Sequence, residues 1–146
     1  MSEDPCKVLI NQIKSLKEYM TGLRQLIGVL SDLAARRATI ANVSSYVRSV
    51  SYNILTVAGA IQGVAGLFGK NMLHKILGAL AGLGGVTGMM TDRIREDTYL
   101  KDKDYRKVQR MIDDASKEFM NADRRIRELR QEYRELGCRV KYGNAP

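Results

Sequence analysis

One histidine, two cysteines and runs of evenly spaced glycine are the residues of this 146-residue chain whose types and spacing could do chemistry. His74 lies between two lysines in Gly69-Lys70-Asn71-Met72-Leu73-His74-Lys75. That stretch joins two fixed cations to a group that changes charge at about pH 6.5. Lys70 and Lys75 are the expected contacts for anionic lipid headgroups, and His74 is the candidate pH sensor. Cys6 and Cys138 stand near opposite ends of the chain. With one histidine they do not make the closely spaced ligand set of a metal site, so no metal and no cofactor is expected.

Two other chemistries are set aside on spacing. "GVAGLFGKN" has the outline of a phosphate-binding loop, but Val64 stands where the first glycine is required and Asn71 where Ser or Thr must follow the lysine. No Asp or Glu occurs between Asp32 and Asp92, so the apolar middle of the chain holds no acid to tune for proton transfer. An enzyme is not expected.

Charge placement sets out the elements that must position these residues. The formal net charge is +8, yet residues 49–91 carry only Lys70 and Lys75, while both flanks mix acids and bases. The chain is 45% hydrophobic, with two prolines, two phenylalanines and no tryptophan, a composition that favours helix over strand or disorder. Apolar residues at alternating spacings of three and four predict four long helices over 6–36, 39–68, 71–98 and 103–137, with 138–146 as a tail. The pattern slips across Ala35 to Ala38, which predicts a turn capped by Thr39, and Gly137 is the expected stop of the last helix. The fold class is therefore all-α: one domain, an elongated up-down bundle of four helices built from two long helical hairpins. In that arrangement Cys6 and Cys138 fall at the same end, where they are candidates for a disulfide.

The central hairpin is unlike its flanks. From Ser49 to Gly69 and from Ile76 to Thr91 there is no charge at all, so apolar and small residues cover every face, as in helices that are buried or meet lipid. Gly59, Gly63 and Gly66 repeat at i, i+4 and i+7, and Gly78, Gly82 and Gly85 repeat the same spacing in the returning arm. Matched strips of this kind let two backbones approach closely, which predicts hairpin packing through the glycines. The expected lipid contacts are Ile54, Val57, Ile61, Val64, Leu67 and Phe68 on one arm, and Leu73, Ile76, Leu77, Leu80, Leu83, Met89 and Met90 on the other. As helix, the first uncharged run would span about 31 Å, near the thickness of a bilayer core, and the second only about 24 Å.

"RRATIANVSSYVRSVSYNILTVAG", followed by a glycine-rich arm ending "GLGGVTGMMTDRI", resembles the apolipoprotein L family. There a Thr-Ile-(Ala/Ser)-Asn-Val segment, carried here by Thr39 to Val43, leads into a hydrophobic helical hairpin. The likeness is best over residues 33–97. It implies a lipid-binding protein able to enter membranes through the hairpin, with permeabilising or remodelling activity in some members and a place in lipid transport and innate immunity. It also implies either of two locations, at intracellular membranes or, behind a precursor signal, on extracellular lipoprotein particles. The acidic first residues lack the basic and apolar regions of such a signal, which favours the cytoplasmic location.

The last helix is arginine-rich, but Asp123, Glu128, Glu132 and Glu135 balance it. A solvated face of i to i+4 ion pairs is expected there, not a nucleic-acid surface. The same helix could join a second copy or a coiled-coil partner. The competing expectation for the whole chain is a soluble helical interaction or oligomerisation module without lipid function.

Overall fold

The computed structural model describes residues 4–61, 69–83 and 99–146, and for 53–61 and 69–70 the backbone alone. Every regular element among them is helical. Helix α1 (Pro5–Ala34) begins where the Asp4 carboxylate accepts the Cys6 N–H at 3.0 Å, with Pro5 in the first turn, where a missing N–H costs no hydrogen bond. It ends in a turn whose Arg36 has φ +59°, a left-handed conformation rare outside glycine. Thr39 Oγ1 then accepts the Asn42 N–H at 3.3 Å and opens α2 (Ile40–Ile61). Helix α3 is Gly69–Leu83, and a 3₁₀ turn, Asp102–Asp104, leads into α4 (Tyr105–Glu135). Gly137, at φ +71°, stops α4 and redirects the chain into the short α5 (Cys138–Tyr142).

Two expectations change. Helix α3 starts at Gly69, two residues before the expected 71, so the stretch 69–75 with its two lysines and histidine is helical and the apolar spacing of Met72, Leu73 and Ile76 belongs to its buried face. Part of the expected tail, 138–146, is helical, because the left-handed glycine lets a new helix start directly after the old one ends.

Helix α1 packs most extensively against α4 and next against α2; α2 packs on α3, and α3 on α4. With two neighbours, α1 buries a wider arc than the seam of a coiled coil. Leu9, Ile13, Leu16, Leu23 and Leu30 lie inside as the periodicity predicts, and Tyr19, Leu26 and Leu33 join them. From α4 come Val108, Met111, Ala115, Ala122, Ile126, Leu129 and Tyr133, and from α2 Ile40, Val43, Val47 and Val50. A cross-tie holds the α1–α2 turn to the segment before α4: Arg36 Nε donates to the Leu100 carbonyl at 3.1 Å, and its guanidinium pairs with Asp102.

At the opposite end, Cys6 and Cys138 are joined by a disulfide, their Cα atoms 5.5 Å apart. Beside it Asp4 accepts from Lys141 Nζ at 3.0 Å and from the Tyr142 hydroxyl. The tail folds back along α4, where Tyr133 Oη donates to the Gly143 carbonyl at 2.9 Å and Arg130 donates to the Pro146 main-chain oxygen at 3.0 and 3.2 Å.

Candidate functional site

Helix α3 decides where the expected site residues go. Met72, Leu73, Ile76, Leu80 and Leu83 are buried and Leu77 is half-buried. A residue two positions from a buried one points about 200° round the helix, so the same register turns Gly78 and Gly82 outward. Both are exposed, and a Cβ built on either would meet nothing within 4 Å. Among the described residues α3 thus packs through its leucine face, and no close contact is made at Gly78 or Gly82. Gly63, Gly66, Gly85, Val64, Leu67, Phe68, Met89 and Met90 lie outside the described residues. Ile54, Val57, Gly59 and Ile61 belong to the backbone of α2, and Lys70 to that of α3, with their side chains outside the description.

His74 and Lys75 are exposed, on the flank of α3 that faces α4. Together with Asn71 and Met72 they form one wall of a groove of about 640 Å³, whose other wall is Asp114, Lys117, Glu118 and Asn121. Spacings of three, four and seven put those four side chains on one stripe of α4. The groove thus offers two lysines, an imidazole, two carboxylates and two amides, a set that can take a zwitterion or a paired anion and cation. Among the described residues no group of three or more His, Cys, Asp and Glu could hold a metal ion.

Glu118 is the residue that reading the apolar pattern misses. It is only 2% exposed and stands at a core position of α4. Across from it the fully buried Tyr19 of α1 has its phenol pushed well above the usual range, first by desolvation and then by the negative charge of Glu118. The acid absent from the uncharged central stretch is supplied by α4. Its only signal in the sequence is a carboxylate seven residues after Met111 and four before Ala122, in step with the buried stripe. Nearby, the Arg24 guanidinium lies over the Phe119 ring, 5.7 Å from its centre.

On the solvated side of α4, Arg127 pairs with Asp123 and Arg125 with Glu128 at 2.9 Å, while Glu135 accepts from Gln131 at 3.1 Å. No described helix is long and apolar enough to cross a membrane. No family model, no curated protein and no solved structure matches the chain.

Proposed function

We propose that this chain is a non-enzymatic, lipid-binding helical protein of apolipoprotein L type, whose α2–α3 hairpin leaves its partners conditionally and enters a membrane. In this reading the fold is an up-down four-helix bundle, with α1 and α4 shielding the hairpin in water. The observation that carries it is the covered leucine face of α3. Five apolar side chains on a helix with no acid are hidden against neighbours, and lipid could replace those neighbours at little cost in apolar contact. The disulfide ties α1 to α5, which follows α4 directly, whereas α3 holds no cysteine, so opening is easiest between the hairpin and the α1–α4 pair. Lys75, with Lys70, would then meet anionic headgroups.

The bridge bears on location as well. Disulfides persist in oxidising compartments, so Cys6–Cys138 favours the extracellular, lipoprotein-associated setting over the cytoplasmic one. A second reading, a soluble interaction or oligomerisation module, draws support from the outward-facing Gly78 and Gly82.

Vesicle flotation coupled to a dye-leak assay separates the two, with Ile61→Asp as the control. The lipid reading expects wild-type protein to float with anionic vesicles and the variant to stay below. Protein that remains soluble at every lipid composition and pH tried would leave the module reading standing.

A further inference from the structure

At one corner of the fold the tail returns over α4. Gly137 turns the chain into α5, Gly143 at φ +82° turns it back, and the bonds from Tyr133 to Gly143 and from Arg130 to Pro146 hold the return in place. Between α4 and the returning strand of tail is a pocket of about 300 Å³, lined by Arg130, Tyr133, Arg134, Arg139, Asn144 and Ala145. Three of these six are arginines and none is an acid.

Two neighbouring arginines of α4 are in a different state. Arg125 and Arg127 are neutralised by Glu128 and Asp123. Arg130 is half-buried and engaged with the main-chain oxygen of Pro146. Arg134 and Arg139 are exposed, and no ion pair joins either to a described residue. Asp4, the acid that α5 contacts, is occupied by Lys141 and Tyr142. Two unpaired planar forks lining one pocket, with an amide from Asn144 and the Arg130 guanidinium in the same lining, suit a tetrahedral oxyanion that accepts paired hydrogen bonds.

Beside the pocket the surface is apolar in a way water does not favour. Val140 is 95% exposed and Leu136 57% exposed, on either side of Arg139 in sequence. Exposed aliphatic residues interleaved with arginine are the composition of a segment that settles into the headgroup layer of an anionic bilayer.

We propose that this corner is a phosphate-recognition site, and that the phosphate it takes is the headgroup of an anionic phospholipid, with Val140 and Leu136 resting at the acyl boundary. The inference rests on the lipid reading above, but it places the first membrane contact at the α4–α5 corner instead of at Lys70 and Lys75.

The test uses the full oxidised chain. Flotation is measured on pure phosphatidylcholine vesicles and on mixed phosphatidylcholine–phosphatidylglycerol vesicles, for wild type, Lys75→Ala and the double variant Arg134→Ala/Arg139→Ala. Arginine side-chain resonances are followed in parallel during titration with inorganic phosphate, and circular dichroism checks that each variant is folded. The expected result is binding to the mixed vesicles that falls roughly tenfold or more in the double variant, about the loss of one charge-assisted pair, and little in Lys75→Ala. A double variant that is folded and floats like wild type overturns the corner and leaves lipid binding intact. Wild type that floats on no vesicle, while phosphate shifts the Arg134 and Arg139 resonances, overturns the lipid source and leaves a soluble-phosphate site. The absence of both flotation and a phosphate shift overturns the site altogether.

Discussion

At the scale of single residues, Asp4 does two jobs: it caps α1 and anchors α5. The Tyr142 hydroxyl first, then Lys141 and the Cys6 N–H, hold its carboxyl down at about 2, against an ordinary 3.8. A carboxyl depressed on folding stabilises the fold fully above its unfolded value and loses that contribution as pH falls through the folded one. The Tm difference between wild type and Asp4→Asn should therefore be constant at neutral pH and close as pH falls from about 4 towards 2, the range between those two values. A gap unchanged across that range would mean the contacts to Asp4 do not form in solution. Lys141 and Tyr142 are both raised, each chiefly by its hydrogen bond to Asp4, so their share is present at neutral pH and is lost as strong alkali deprotonates them. Gly78 and Gly82 supply a second prediction. Since a Cβ at either meets nothing, Gly78→Ala and Gly82→Ala should each raise stability by about 0.4–1 kcal/mol in urea unfolding. Glycines that packed one helix tightly on another would give the opposite sign. Their spacing was plain in the sequence, but spacing alone does not say which way a stripe faces; the neighbouring leucines do.

At the scale of elements, helix is legible wherever apolar residues recur every three or four, and the turn at 35–38, the start at Thr39 and the stop at Gly137 follow from local chemistry that needs no partner. What is not legible is set by neighbours. Tyr19, Leu26 and Leu33 become core because α1 is packed on two sides, and a seam drawn for one partner passes them by. Glu118 enters the core because Tyr19 and the groove beside α3 surround it, a circumstance distant in sequence. The short α5 escapes a search for periodicity because one turn and a half is too brief to show a repeat. It matters nonetheless, since it holds the second cysteine and one wall of the arginine pocket.

At the scale of the whole molecule, the outer helices are the chain's frame. The disulfide joins residues 132 positions apart, and closing so long a loop restricts the unfolded chain strongly. Reduction, or Cys6→Ser, should lower stability by about 2–5 kcal/mol, read as a fall in the urea midpoint with and without reductant. An unchanged midpoint would mean the bond is not formed in the protein as purified. The pairing of the two cysteines was foreseeable once antiparallel neighbours were assumed, because an even number of long helices returns the chain to its starting end. The bridge also makes a covalent ring of everything from Cys6 to Cys138. Traction applied at the two termini is therefore borne by a pair of sulfur atoms: only α5 and the last residues uncoil, and the helices inside the ring feel no tension.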